Sequence, residues 1–323
     1  MRYVVYGAGA VGGVIGSRLH LAGLPTTLVA RGEHLRRVRQ DGLVLDSAEG
    51  RRTVRTPATD TAAEVAWSED SVVLLCVKGH QSGAALADLV IHAPPRTPIV
   101  CAQNGVANEA EVLRRFAEVY GLTVMLPSLH LDPGTVVEKC GPTPGILDLG
   151  RFPAGVDATA EAVSADLRAA GFASVARDDI MAWKYRKLLV NAVGDVSAVL
   201  GSGPEVDEVR SRVRAEGEAV LAAAGINAVS GEQDDVRRGE TLQPRPDIAS
   251  FPGNSLRQSL TRGLESEIDY RAGEIVLLGR LHGVATPANA LLQATVVSLG
   301  RGAAAPDPAV FLAGSRSPES PSE

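Results

Sequence analysis

The run GAGAVG near the N-terminus carries the first chemistry of this sequence, on the glycines Gly7, Gly9 and Gly12. A short apolar run precedes it and a helix-like pattern follows, which predicts a strand, a tight turn and a helix. In that setting the first glycine permits the turn, the second admits a pyrophosphate and the third packs the helix on the strand. We assign the intervening Ala10 and Val11 to the same set. The loop predicts dinucleotide binding at a helix N-terminus; the alternative is a tight turn without a ligand.

The residue after the predicted second strand, 26–30, indicates which dinucleotide binds. NAD enzymes carry an Asp or Glu there that holds the ribose 2′-hydroxyl, but this chain has Arg31. A guanidinium only donates hydrogen bonds and pairs well with a phosphate, so Arg31 favours NADP(H). Glu33 is the competing interpretation, in favour of NAD. Three further arginines either add positive charge or form a solvated helix face: Arg36, Arg37 and Arg39.

Two more apolar runs end in polar residues. Lys78 and Gln81 follow the predicted strand 72–77, and Asn104 follows 98–102. In open α/β sheets ligands bind outside the carboxyl ends of the strands, so these side chains are candidate contacts for ribose, nicotinamide or substrate. The alternatives are a surface lysine and an ordinary Asn-Gly turn.

A polar stripe crosses an otherwise apolar helical segment, 181–201. Lys187, Asn191 and Asp195 are spaced four residues apart and share one face. Such a stripe is costly unless it is paired or faces a cleft. The alternative is an exposed stripe on a surface helix.

A second polar set lies in the run NSLRQSLTRGLESEIDY, 254–270. Ser255 lies at its start, and Glu267 can accept a hydrogen bond from a substrate hydroxyl or hold Lys187 charged. The alternative for Glu267 is an ion pair with Arg271, four residues further along the helix pattern.

Composition bounds the class of protein that carries these residues. The chain has 323 residues, 45% of them hydrophobic, which is enough for two domain cores. A net charge of −6 without a basic face makes nucleic acid an unexpected partner. Its three cysteines lack metal-ligand spacing, and no apolar run has the length of a membrane span. We expect a reduced, cytoplasmic protein with no metal and no membrane partner.

The order of the elements predicts an α/β fold followed by an all-α domain. Residues 1–177 alternate apolar runs with helical patterns, which predicts a Rossmann-like, mainly parallel sheet that binds NADP, with later strands added antiparallel. Helical periodicity then predicts a substrate and catalytic domain over 178–313 and a disordered tail over 314–323. The segment 226–252 reads as a long loop. The predicted strands are 2–6, 26–30, 43–46, 72–77, 98–102, 122–126, 135–140 and 145–149, and the predicted helices of the second half are 180–200, 204–224, 254–279 and 286–299.

Several of these motifs together resemble the ketopantoate reductases, also called 2-dehydropantoate 2-reductases. GAGAVG, Arg31, CVKGHQ, AQNGVANE, WKYRKLLVNA and ESEIDYRAGEI occur in order along residues 1 to about 300. The resemblance implies a Rossmann domain and a helical domain with NADPH and substrate in the cleft between them. It implies reduction of a 2-keto acid to the 2-hydroxy acid, as in pantothenate and coenzyme A biosynthesis.

The resemblance also implies roles for the residues. The three glycines bind pyrophosphate and Arg31 binds the 2′-phosphate, while Lys78 and Asn104 border nicotinamide and substrate. Lys187 matches the general acid. The matching substrate-binding residues are Asn191, Ser255 and Glu267.

One departure bears on the substrate. Where the family commonly continues N-x-x-x-N-P-L-T-A, this chain reads NAVGDVSAV, with Asp195 and Val196 in place of Asn-Pro. A carboxylate on the Lys187 face would repel an anionic keto acid or pair with the lysine. This predicts a less anionic or amine-bearing carbonyl substrate. The alternatives are a β-hydroxyacid or opine dehydrogenase-like oxidoreductase and an NADPH-binding sensor, and apolar stretches in 270–299 leave a homodimer possible.

Overall fold

The computed structural model describes residues 1–248, 256–257, 260 and 265–316. The chain divides into two compact units, the first formed by Met1–Lys184 and Gly231–Ser250, the second by 185–230 and 251–323. The first unit therefore extends beyond residue 177, where the sequence predicted the boundary, and it includes part of the segment that we interpreted as a loop.

A seven-stranded sheet forms the centre of the first unit, in the order β11-β8-β7-β6-β1-β2-β5. Its pairs are parallel except for β11, which runs antiparallel to β8. The mainly parallel sheet and its late antiparallel addition are as predicted. The strands are β1 (Arg2–Tyr6), β2 (Thr26–Val29), β3 (Leu43–Ser47), β4 (Gly50–Val54), β5 (Ala58–Thr59), β6 (Ser71–Leu75), β7 (Ile99–Cys101), β8 (Val119–Met125), β9 (Ser128–Leu129), β10 (Thr135–Glu138) and β11 (Ile146–Arg151).

A second sheet of four strands, in the order β4-β3-β10-β9, belongs to the same unit. We predicted β3 and β10 as strands but not their neighbours. Strand β4 has the sequence GRRTV with only Val54 buried, so it lacks the alternation that marks a half-buried strand. Strand β9 has two residues, too few for any periodic signal.

Strand β1 lies where the order of the large sheet reverses. The chain passes from β1 to β2 on one side and later returns to β6 on the other side. In open α/β folds this reversal point is where ligands bind, outside the carboxyl ends of the strands. The loops that follow β1, β2 and β6 are those that carry the glycines, Arg31 and Lys78.

Helices cover both faces of the large sheet. Tyr3 and Val5 of β1 belong to one apolar core, and Val4 and Tyr6 belong to another, because successive strand residues point to opposite faces. Near-continuous burial of β1 and β6 follows from this arrangement. The helices of the unit are α1 (Ala10–Leu21), α2 (Gly32–Asp41), α3 (Ser82–His92), α4 (Asn108–Leu113), α5 (Ala158–Ala169) and, from the returning segment, α8 (Gly231–Arg238).

Two arginines hold the returning segment on the first unit. Arg237 places both ends of its guanidinium on Asp148, at 2.8 and 2.6 Å. Arg245 bonds the Asp46 carboxylate at 2.9 Å and the Glu138 carbonyl at 2.9 Å. Part of the predicted loop 226–252 is thus helix α8 followed by a pinned extended stretch.

The second unit is helical, as predicted, but the predicted helix 254–279 is not continuous. Over 265–279 the described chain has a 3₁₀ helix, Ile268–Tyr270, and an α-helix that begins only at Ala272. A side chain at Gly217 would come within 2.5 Å of Leu189 and 3.4 Å of Ile275, so the glycine lets α7 pack closely on two neighbours. Glu216 accepts hydrogen bonds from the backbone of Ala288 at 2.8 Å and Asn289 at 2.9 Å, which satisfies the first N–H groups of the helix that begins at Pro287. The helices that lie wholly or largely in the unit are α6 (Ile180–Leu200), α7 (Pro204–Ala223), α9 (Ala272–His282), α10 (Pro287–Gly300) and α11 (Pro308–Gly314).

The C-terminal end departs from the prediction of a tail from residue 314. Helix α11 reaches Gly314, and Ser315 is 2% exposed, with its hydroxyl 3.2 Å from the Arg212 guanidinium. Residues 317–323 lie outside the described part of the chain. Among the described helices, none has the length and apolar character that crossing a membrane requires.

Candidate cofactor site and candidate catalytic residues

The glycine loop has the backbone geometry that its predicted role requires. Gly7 has a φ of +105°, and Gly12 lies so close to the strand that a Cβ there would be 2.1 Å from the Gly7 carbonyl oxygen. Open space lies beside Gly9, the N-cap of α1. The first turn of that helix holds no acidic residue, so its N–H groups and partial positive charge face this space without competition.

Arg31 is exposed at the N-cap of α2 and acts on the end of β1. Burial raises the pKa of Tyr6 to about 12, together with the hydrogen bond to Asp88 at 2.6 Å, and the Arg31 guanidinium works in the opposite direction. The arginine therefore reaches the carboxyl edge of the large sheet from the strand beside β1.

Glu33, the residue that would favour NAD, is held by its own helix. Arg36 bonds it at 2.6 Å and Arg37 at 3.0 Å, and these contacts lower the pKa of its carboxyl to about 2. Arg39 bonds Glu64 at 2.7 Å. The three arginines after Arg31 thus form an ion-paired helix face, the second of the two interpretations that the sequence left open.

Buried side chains tie the loops that carry Lys78 and Asn104 together. Gln103 donates to the Val77 carbonyl at 2.7 Å and to the Ser82 hydroxyl at 2.8 Å. Lys78 and Asn104 are half-buried next to these anchored residues, while Gln81 is exposed. The structure thereby brings two of the predicted cofactor contacts to neighbouring strand ends.

A buried ion pair lies beneath the Asn104 loop, and sequence reasoning missed it. Lys184 is 2.6 Å from the Glu109 carboxylate, and the two side chains are 3% and 0% exposed. The same ammonium donates to the carbonyls of Gln103 at 3.0 Å and Leu122 at 3.3 Å. Lys184 within an apolar helical segment could have indicated a buried ion pair, but sequence spacing did not reveal Glu109 as its partner.

In the second unit, the polar stripe of α6 meets the residue that follows ESEIDY. Lys187 and Asn191 are half-buried, whereas Asp195 is 0% exposed and lies 2.7 Å from Arg271, itself 3% exposed. Arg271 also donates to the Asn191 carbonyl at 3.3 Å. It immediately follows a short 3₁₀ helix, Ile268–Tyr270, whose N-cap is the half-buried Glu267. Ser255 lies outside the described residues.

The pair with Arg271 corrects the electrostatic argument drawn from Asp195. A buried carboxylate beside a buried guanidinium adds little net charge, so repulsion of an anionic keto acid loses its physical basis. The carboxylate that Asp195 brings in place of the family's Asn is neutralised by the Arg271 guanidinium of the same unit. We infer that Asp195 supports α6 rather than contacting substrate.

Two family models match the chain in succession. The first, described as ketopantoate reductase PanE/ApbA, matches residues 3–153, and the second, its C-terminal counterpart, matches 179–299. The chain belongs to the ketopantoate reductase family. The predicted family, Rossmann fold and oxidoreductase class are thereby confirmed, with the nicotinamide cofactor that the family uses.

Named relatives are similar over nearly the whole chain. A 2-dehydropantoate 2-reductase of Pyrococcus horikoshii is 28% identical over 94% of this chain and 99% of its own length. A crystal structure of a ketopantoate reductase of that family from Ralstonia eutropha is 27% identical, with a TM-score of 0.80, covering 93% of this chain and 99% of that one. A D-mandelate dehydrogenase with NADH and anilino(oxo)acetate shares the fold at 24% identity, with a TM-score of 0.80 and coverage of 93% and 99%.

We expect Glu109→Gln to destabilise the protein because it leaves the buried Lys184 ammonium without its counter-ion. The cost should be about 3 kcal/mol, measured as a lower urea midpoint of unfolding. Glu111→Gln on the same helix is the matched control, since that exposed carboxylate pairs with surface arginines and its loss should cost less than about 1 kcal/mol. Equal shifts in the two variants would contradict the account.

Asp195→Asn should lower the free energy of unfolding by about 3 kcal/mol, because the buried Arg271 guanidinium then lacks its counter-ion. Replacing both partners, Asp195→Leu with Arg271→Met, should recover most of that loss, since no buried charge then remains. Asp207→Asn, which breaks an exposed pair with Arg210, is the control and should change the urea midpoint little. A double variant that is as unstable as the sum of its single changes would show that the two side chains act independently.

Proposed function

We propose that this chain reduces a 2-keto acid to the 2-hydroxy acid with NADPH, and that ketopantoate is the substrate to test first. The observation that carries the proposal is the half-buried pair Lys187 and Asn191, one turn apart on α6, in a chain that both family models match. The Pyrococcus horikoshii relative named above is a 2-dehydropantoate 2-reductase.

The residues divide the work as follows. The cofactor, when bound, supplies the hydride. Lys187 stabilises the negative charge that develops on the keto oxygen and donates the proton to it. Asn191, one turn further along the helix, orients the lysine or a substrate oxygen. Glu267 accepts a hydrogen bond from a substrate hydroxyl or keeps Lys187 charged; Ser255 is a further substrate contact that only the resemblance implies.

The preference for NADP(H) over NAD(H) is argued from the residues that follow strand β2. Arg31 is exposed at the N-cap of α2, where it can pair with a 2′-phosphate, and the acceptor oxygens of Glu33 are occupied by Arg36 and Arg37. A free carboxylate at this position is what would have favoured the ribose hydroxyls of NAD. We therefore propose NADP(H) rather than NAD(H).

We also propose that the chain acts in the cytoplasm as a homodimer. Leu277 and Leu281 lie four residues apart on one face of α9 and are 48% and 68% exposed, and Val297 on α10 is 36% exposed. An exposed apolar stripe of this kind commonly serves as an interface. Sedimentation equilibrium measures the state directly, and a monomer at micromolar concentration would refute the dimer.

Lys187→Ala should lower kcat for ketopantoate reduction by about two to four orders of magnitude. The variant loses both the proton donor and the positive charge that stabilises the developing charge on the keto oxygen. The decay of NADPH absorbance measures turnover, and fluorescence titration should show unchanged NADPH affinity. Lys139→Ala is the control lysine and should keep full activity.

If the wild-type protein reduces another 2-keto acid but not ketopantoate, the proposed substrate is wrong and the proposed class of reaction still holds. A Lys187→Ala variant with undiminished turnover would refute the assignment of the proton donor.

Arg31→Ala should weaken NADPH binding about tenfold while NADH binding stays unchanged, because only NADPH carries the 2′-phosphate. Arg36→Ala is the matched control, since its guanidinium is bound to Glu33. Fluorescence titration measures the affinity of each variant for NADPH and for NADH. Equal weakening of NADPH and NADH would indicate a general loss of the fold at this edge and contradict the assignment.

A further inference from the structure

A histidine outside every set described so far touches the glycine loop. His34 lies on α2, three residues after Arg31, and is half-buried. Its Nε2 is 2.8 Å from the Ala8 carbonyl oxygen, and its Nδ1 is 2.9 Å from the Gly134 amide nitrogen. The ring of His130 packs on it at a centroid distance of 4.3 Å, with Nε2 3.1 Å from the same Nδ1.

The partners of His34 fix its protonation. The Gly134 amide can only donate, so Nδ1 must accept, and the Ala8 carbonyl can only accept, so Nε2 must carry the proton. The ring is therefore neutral in one defined tautomer. Burial lowers the pKa of His34 and favours the same neutral form.

The bond to Ala8 determines where the next amide points. The Ala8–Gly9 peptide is trans, so its carbonyl and its N–H point in opposite directions. The Ala8 amide nitrogen is already committed to the Val29 carbonyl at 3.1 Å. Because His34 holds the Ala8 carbonyl, the Gly9 N–H points away from His34 within the same peptide plane. A Cβ built on Gly9 would meet no neighbouring atom within 4 Å, so this side of the loop is open.

The turn that supplies the second bond belongs to the small sheet. Gly134 immediately precedes β10, and Val136 of that strand approaches the start of α1 so closely that a Cβ at Gly13 would be 2.7 Å from it. His34 is thus braced against a packed element, which an exposed histidine would not be.

We propose that His34 is a positioning residue for the cofactor pyrophosphate, acting through the Ala8–Gly9 peptide to aim the Gly9 amide at the phosphates. It also joins this peptide to α2, the helix whose N-cap is Arg31. The proposal rests on the proposed function only for the identity of the cofactor.

The test uses two ligands that share adenosine and its 2′-phosphate. NADPH also carries the pyrophosphate and the nicotinamide riboside, and 2′-AMP lacks both. His34→Leu removes both hydrogen bonds and should weaken NADPH binding about tenfold while leaving 2′-AMP binding unchanged. His34→Gln retains a donor for the Ala8 carbonyl and should bind NADPH nearly as well as wild type. Fluorescence and calorimetric titrations without keto acid give these affinities.

His282→Leu, a substitution of an exposed histidine at the end of α9, is the matched control and should change neither affinity. His34→Leu binding NADPH as tightly as wild type would overturn the proposal. Equal loss for NADPH and 2′-AMP would also overturn it, as would a glutamine variant that binds as weakly as the leucine variant while unfolding at the wild-type urea midpoint.

These affinities are separable from the proposed function. If wild type prefers NADH, the proposal of NADP(H) fails alone, and the same His34 variants titrated with NADH and with adenosine still test the role of the histidine.

Discussion

The close approach of helix α1 to strand β1 is the constraint on which the first unit depends. Gly12 leaves no room for a side chain because the Gly7 carbonyl would lie 2.1 Å from its Cβ, and Gly7 itself takes a positive φ. Only this approach brings the N-terminus of a helix to the end of the central strand, where the sheet order reverses. The chain there must satisfy its backbone groups without filling the space beside Gly9, and the Val29 carbonyl and His34 do so from the neighbouring strand and helix.

Buried charge serves positioning in both units. Lys184 and Glu109 hold the loop of Asn104 from below, through the Gln103 carbonyl, and Arg271 joins Asp195 and the Asn191 carbonyl in the helical unit. Neither pair has an evident stability advantage over apolar packing, because desolvation offsets most of the Coulomb attraction. What each provides is a donor in a fixed position: Lys184 holds the Gln103 carbonyl next to Asn104, and Arg271 holds the carbonyl of Asn191 itself.

The same reasoning separates the charges that we propose act on ligands from those that neutralise each other. Arg36 and Arg37 are bound to Glu33, whereas Arg31 stands at a helix N-cap over the sheet edge. Asp195 is cancelled by Arg271, which leaves Lys187 as the stripe residue assigned to the keto oxygen. This distribution is compatible with a family that reduces an anionic substrate, because the Asp195 carboxylate lies beside the Arg271 guanidinium.

The sequence alone determined the fold class, most strands of the large sheet, the bounds of α6 and α7, and the candidate residues after each strand, because periodicity and glycine spacing are local properties. It could not find β4, in which every residue except Val54 is exposed. Nor could it show that Gly231–Ser250 returns to the first unit, since that depends on contacts of Arg237 and Arg245 with acidic residues far away in the sequence. Partner choice was likewise decided by tertiary structure. Spacing alone suggested Lys187 as the partner of Asp195, but the fold places Arg271 beside it. His34 had no predicted role, and only the fold shows its contact with Ala8, because packing rather than spacing sets a side chain's partners.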